Sequence, residues 1–188
     1  MRAPWRVPYV NFAAEWAEEG DSIRNCIEAV FSRGDFVGGS AIAEFEAKAA
    51  DYCEAEYAVA LNSGTDALIL SMRALGIGSG DEVITPPNSF VASTSAIVHA
   101  GATPVFADVL PDQNLDPEAI RRAITAKTKA IMPVHLTGRV AEMGEIMSLA
   151  NEEGIFVIED AAQAIGSLYD GWKTGSLGTV GCFSAHPL

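Results

Sequence analysis

The chain has 188 residues, 49% of them hydrophobic, and carries 25 acidic against 12 basic side chains for a formal charge of −13. That composition suits one packed domain or a large piece of a bigger one, and it excludes a disordered chain and a basic face for a nucleic-acid backbone. Cys26, Cys53 and Cys182 are odd in number, widely spaced and without any C-x-x-C or His/Cys cluster, which argues against a disulfide framework or a metal site and for reduced thiols in a cytoplasmic protein.

The start, "MRAPWRVPYVNFAAEW", has no uninterrupted apolar core, and no later run approaches the roughly 20 apolar residues of a membrane span. Residues 1–20, with Pro4, Trp5, Pro8 and Trp16, read as an arm, and Trp5, Tyr9 and Phe12 suit a subunit contact slightly better than core filling. "DSIRNCIEAVFSRG" predicts a helix capped by Asp21 or Ser22, with Ile23, Ile27, Val30 and Phe31 on one face and a stop at Gly34. "SAIAEFEAKAADYC" predicts a second, capped by Ser40, with Ile42, Phe45, Ala49 and Tyr52 in a stripe.

From there strands and helices alternate. "YAVAL" predicts a first strand, running through "NSGT" into the helix "DALILSMRAL". The strands "EVIT", "PVFAD", "KAIMPV", "FVIED" and "GTVGCFS" follow, separated by helices from about Ser89 to Ala100, through "PEAIRRAIT" and through "GEIMSLANEEG". Continuous apolar strands separated by helices imply an α/β fold whose mostly parallel sheet is covered on both faces. Functional residues in such a sheet lie just beyond the strand C-termini.

Several stretches sit at those positions. "NSGTDAL" follows a strand and opens a helix, so the backbone N–H groups of Gly64, Thr65 and Asp66 can hold an anion; Ser63 or Thr65 merely capping the helix explains the pattern equally well. "FVIEDAAQAIGS" delivers Glu159 and Asp160 to a strand end among small residues, with Gln163 close behind. A carboxylate there needs a cationic or hydrogen-bonding partner, and a heterocyclic cation fits that need. Phe90 in "PPNSFVAS" follows the strand "EVIT", where an aromatic is more often core than a stacking face. His135 in "PVHLTG" reads as a hydrogen-bonded structural histidine. "GIGSGD" follows a helix and precedes a strand, the reverse of a dinucleotide-binding loop, and reads as a turn. Ser184 and His186 in "CFSAH" lack the glycines of a nucleophile elbow, which disfavours a hydrolase.

Taken together and in order, "FVGG", "EFE", "NSGTDAL", "DEVITPPNSFVAS", "GATPVFADV", "NLDPEAI", "TKAIMPVHLTG", "VIEDAAQAIGS" and "CFSAHPL" resemble the DegT/DnrJ/EryC1/StrS family of sugar aminotransferases. These are pyridoxal 5'-phosphate (PLP) enzymes of the aspartate-aminotransferase fold, and the resemblance runs from about Gly34 to the end. It implies that residues 21–188 are the N-terminal portion of the large PLP-binding domain, and that a smaller C-terminal domain follows in a full member. Carried over by position, Gly64 and Thr65 match the phosphate-binding turn and Ser184 a side chain that reaches the same phosphate. Phe90 matches the aromatic stacked on the pyridine ring, Asp160 the carboxylate paired with the pyridinium nitrogen, and Gln163 the amide near the phenolic oxygen. Thr137 stands where the family often has tyrosine.

The resemblance further implies an L-glutamate donor, pyridoxamine 5'-phosphate (PMP) as the intermediate cofactor form, a nucleotide-linked ketosugar as acceptor, and a homodimer with the active site at the interface. It implies a Schiff-base lysine five residues after Ser184, immediately past Leu188, and a chain interrupted there by that modified lysine is expected over a truncated one. Histidine at the same place would instead indicate a PMP-dependent sugar dehydratase. A PLP-binding regulatory protein is the non-enzymatic alternative.

Overall fold

The computed structural model describes residues 10–186. Asn11 accepts a hydrogen bond from the Ala14 N–H at 3.2 Å and opens α1 (Phe12–Arg33), which closes at Gly34 in the left-handed conformation, φ 75°. The helix therefore starts about ten residues ahead of the expected Asp21 or Ser22 cap. Those two residues lie inside it, and Asp21 pairs with Arg24 one turn on. Residues 12–20 of the expected arm are thus helical. Phe12 and Trp16 are half exposed, so Phe12 is not core filler, while Pro4, Trp5, Pro8 and Tyr9 lie outside the described residues. The second helix, α2 (Ser40–Cys53), is preceded by Gly39 rather than capped by Ser40: Gly39 takes φ 97°, ψ 172°, a conformation open to glycine alone, and Ser40 is already helical.

The segment "YAVAL" is not a strand. A strand needs a neighbour for its N–H and C=O groups, and among the described residues none runs alongside residues 57–61. The Ala60 N–H instead donates to the Glu46 carboxylate at 2.8 Å, and Tyr57 and Val59 are exposed.

After it come α3 (Gly64–Ala74), β1 (Glu82–Thr85), α4 (Val91–Ala100), β2 (Thr103–Phe106), α5 (Pro117–Ala123), β3 (Thr128–Ile131), a short 3-10 turn (Leu136–Gly138), α6 (Met143–Glu153), β4 (Phe156–Asp160), the small antiparallel pair β5 (Leu168–Tyr169) and β6 (Trp172–Lys173), and β7 (Val180–Cys182). Five strands form one sheet in the order β2-β1-β3-β4-β7, every pairing parallel. Alternate residues feed opposite cores. Val83, Ala130 and Ile158 meet Leu68 and Met72 of α3 and Ala96 and Ile97 of α4, while Ile84, Ile131 and Val157 meet Ile120 of α5 and Ile146 and Leu149 of α6. Burying each of these large side chains contributes roughly 1.5–3 kcal/mol. This is the helix-covered parallel sheet the sequence predicts. "GIGSGD" is the helix-to-strand turn anticipated, closed by the Gly78 N–H on Asp81 at 2.9 Å.

Candidate functional site

Parallel strands all end on the same side, so the segments after β1, β3, β4 and β7 converge along one edge of the sheet. At that edge Ser63 caps α3, its hydroxyl oxygen accepting the Asp66 N–H at 3.1 Å. The N–H groups of Gly64 and Thr65, in the first turn of α3, have no helical carbonyl to bond. A side chain at position 64 would place its Cβ 2.8 Å from Ser184 Cβ and 3.2 Å from Ser184 Oγ, so the absence of one lets the start of α3 lie directly against the loop after β7. Capping and anion holding are therefore compatible here: Ser63 does the first and leaves the Gly64–Thr65 backbone open for the second. Ser184 Oγ accepts the His186 N–H at 3.1 Å, which leaves its own hydrogen to donate.

Two residues before Ser184, Cys182 of β7 pairs in register with Asp160 of β4. Asp160 is 5% exposed. Its Oδ2 accepts a 2.6 Å hydrogen bond from Ser93 Oγ in the first turn of α4, and its Oδ1 accepts the Ala162 N–H at 3.3 Å. Burial pushes the Asp160 carboxyl above the ordinary aspartate range; the Ser93 hydroxyl and the Ala162 N–H pull the other way.

Glu159, its neighbour in sequence, faces the opposite side of β4. Its carboxylate accepts the N–H groups of Gly175 at 2.8 Å, Leu177 at 2.9 Å and Gly178 at 2.7 Å, and meets His135 Nε2 at 3.0 Å. His135 Nδ1 accepts the Ala141 N–H at 3.3 Å, so the ring hydrogen sits on Nε2 and is donated to Glu159. Glu159 and His135 are both fully buried. They anchor the loop leading into β7, the structural role expected of His135.

Gln163 Oε1 accepts the Thr137 N–H at 2.7 Å, which turns the amide NH2 of Gln163 outward. Thr137 makes that bond from φ 54°, ψ 25°, a left-handed conformation that strains a β-branched residue. Phe90 immediately precedes α4 and is 72% exposed. The core reading of this aromatic is thus incorrect, and its ring stands as a bare face next to the turn that carries Ser93.

An anion cradle, a buried carboxylate, a bare aromatic face and an outward amide thus share one sheet edge. Against known proteins, the model of the DegT/DnrJ/EryC1/StrS aminotransferase family matches residues 17–188. The chain belongs to that family. It is 42% identical over 183 residues to dTDP-3-amino-3,4,6-trideoxy-alpha-D-glucose transaminase of Streptomyces venezuelae, a match covering 97% of this chain and 48% of that one. It is 43% identical over 183 residues to GDP-perosamine synthase of Caulobacter vibrioides, covering 95% of this chain and 48% of that one. The crystal structure of S. venezuelae DesV in complex with a ketimine intermediate superposes with a TM-score of 0.89 at 42% identity, covering 91% of this chain and 46% of that one. Other solved neighbours hold PMP. The chain spans about half the length of the curated relatives it matches.

Sequence reasoning about this DegT/DnrJ/EryC1/StrS member missed Ser93 and its neighbour Ser89, and while the resemblance singled out Asp160 it gave Glu159 no task of its own. The signals were present: a serine three residues after Phe90 lies in the first turn of the following helix, and adjacent strand residues point to opposite faces. No group of three or more His, Cys, Asp or Glu side chains suited to a metal occurs among the described residues. No described helix is long and apolar enough to cross a membrane.

Proposed function

We propose that the full protein is a PLP-dependent aminotransferase that moves an amino group, from L-glutamate, onto a keto carbon of a nucleotide-linked deoxysugar. The observation that carries this reading is the buried Asp160 carboxylate, held on β4 beside the strand that leads to the Gly64–Ser184 cradle. An anion site and a buried carboxylate at one sheet edge suit a ligand with a phosphate at one end and a ring cation at the other. In this reading the backbone N–H groups of Gly64 and Thr65 and the hydroxyl of Ser184 hold the phosphate. Phe90 covers one face of the pyridine ring, and the Gln163 NH2 reaches its phenolic oxygen.

When bound, PLP would supply an electron sink for the electron pair released at the substrate carbon. Asp160 keeps the ring nitrogen protonated: opposite charge at hydrogen-bond distance outweighs the desolvation that disfavours the carboxylate in the empty site, so Asp160 is ionised in the loaded one. The lysine that carries the cofactor and moves protons at the substrate carbon belongs, in this reading, immediately after Leu188. The protein works as a cytoplasmic homodimer with the site at the interface. The half-exposed Phe12, Trp16, Ile27 and Phe31 of α1 suit burial against another surface.

The test is spectroscopic. The full-length protein should bind PLP, lose its visible cofactor band on addition of L-glutamate, and aminate at least one member of a panel of dTDP-, GDP- and UDP-linked ketosugars. A spectrum unchanged by glutamate, with no ketosugar aminated, overturns the reading.

A further inference from the structure

Ser93 Oγ has one hydrogen and three oxygen neighbours: Asp160 Oδ2 at 2.6 Å, Ser89 Oγ at 2.6 Å and the Phe90 carbonyl at 3.4 Å. Ser89 Oγ in turn lies 2.9 Å from the Phe90 carbonyl. Two hydroxyl hydrogens must therefore serve a carboxyl group and a carbonyl, and the protonation of Asp160 decides which way they point. With Asp160 ionised, Ser93 donates to Oδ2 and Ser89 donates to Ser93. With Asp160 protonated, Oδ2–H donates to Ser93, Ser93 to Ser89, and Ser89 to the Phe90 carbonyl. Both patterns leave every donor satisfied, and hydroxyl rotation alone interconverts them.

We propose that Ser93, backed by Ser89, is the positioning residue of Asp160: a reversible hydrogen-bond relay that donates to the carboxylate in the loaded site and accepts the hydrogen bond of the carboxylic acid in the cofactor-free one. The inference rests on the cofactor role assigned to Asp160 above. Ser93 lies in the first turn of the ten-residue helix α4, whose positive end adds to its preference for the anion. The other ionisable groups around Asp160 do not substitute for it. His135 donates its ring hydrogen to Glu159 on the opposite face of β4, Cys182 of β7 is a buried thiol bonded to Ser71 with its pKa pushed up to about 11, Asp66 at the start of α3 faces Asn62, and His99 lies in the last turn of α4.

The experiment uses full-length protein freed of cofactor, with the carboxylic-acid C=O band followed by infrared difference spectroscopy against pH and assigned by its loss in Asp160→Asn. Ser93 stabilises the anion, so Ser93→Ala should move the titration of that band to higher pH. It should also weaken PLP binding about tenfold, the effect of one hydrogen bond to a charged group. Ser93→Thr, which keeps the hydroxyl, should restore both. Ser89→Ala should shift the band in the same direction but less, and it serves if Ser93→Ala does not fold by circular dichroism. An unshifted titration in Ser93→Ala, or a shift that Ser93→Thr fails to reverse, overturns the proposal. Absence of PLP binding by the wild type would overturn the proposed function instead, because the titration of the empty protein judges the relay separately.

Discussion

Gly64→Ala tests the cradle most directly, since everything about the substitution is set by the contact between α3 and the loop after β7. Its Cβ would stand 2.8 Å from Ser184 Cβ, 3.2 Å from Ser184 Oγ and 3.2 Å from the Phe183 carbonyl oxygen. Carbon atoms rest about 3.5–4.0 Å apart, so α3 and the Ser184 loop must separate by roughly 0.7–1.2 Å. Overpacking of this size costs about 1–3 kcal/mol, while alanine in place of glycine in a helix returns about 0.5–1 kcal/mol, which leaves a net destabilisation of about 0–2.5 kcal/mol. The functional effect should be larger than the structural one. A separation near 1 Å pulls the Ser184 hydroxyl away from the Gly64 and Thr65 N–H groups, and displacements of that order weaken a preorganised site by up to about 100-fold. PLP titration followed by absorbance should show the dissociation constant rising about 10- to 100-fold while the melting temperature falls modestly. Gly64→Ala/Ser184→Gly removes the closest clash and should recover most of the stability but not the affinity, because the hydroxyl is gone. A Gly64→Ala variant that binds PLP like the wild type refutes the close apposition and the phosphate site built on it.

Asp160→Ala should abolish turnover, and near-normal activity would sink its assignment to the ring nitrogen. Burial raises the Asp160 carboxyl, so its contribution to the stability of the empty protein is fully present below the unfolded-state pKa and is lost as pH rises through the raised folded value. Asp160→Asn should accordingly flatten the decline in melting temperature of the empty protein between acid and neutral pH; an unchanged slope contradicts it. Glu159→Ala orphans three backbone N–H groups and the His135 ring and should cost about 3–5 kcal/mol in denaturant unfolding; a loss below about 1 kcal/mol would contradict the anchoring role. Thr137→Gly relieves a left-handed threonine and should gain up to about 1 kcal/mol while loosening Gln163; a loss of stability would show that the φ 54° conformation is unstrained.

The layered parallel sheet was legible because its strands are runs of apolar residues and its helices carry 3.6-residue stripes. The errors fall where local chemistry gives two answers. Asn11, Asp21 and Ser22 are all good caps, and α1, exposed along nearly its whole length, starts at the first of them. "YAVAL" has the composition of a strand, yet composition does not supply the neighbour that a strand must bond. At the site, Gly64, Thr65 and Gln163 were picked out by position and Ser184 by the family resemblance; the fold sets Gly64 against Ser184 even though the segment before Gly64 is not a strand. Phe90 was harder to read because an aromatic residue's burial depends on what packs over it. Ser93 was harder still: its place in the first turn after Phe90 could be read, but its value lies in an aspartate 67 residues further along the chain.

The opposed directions of Glu159 and Asp160 also limit how this protein can change. One carboxylate is part of the construction and its neighbour is free for chemistry, and the two are told apart only by the two-residue period of β4. Inserting or deleting one residue within that strand would exchange them, sending the loop's anchor toward α4 and the chemical group into the loop. Length variation can therefore accumulate in the turns on either side of β4, while the strand itself can tolerate substitution but no change in residue count.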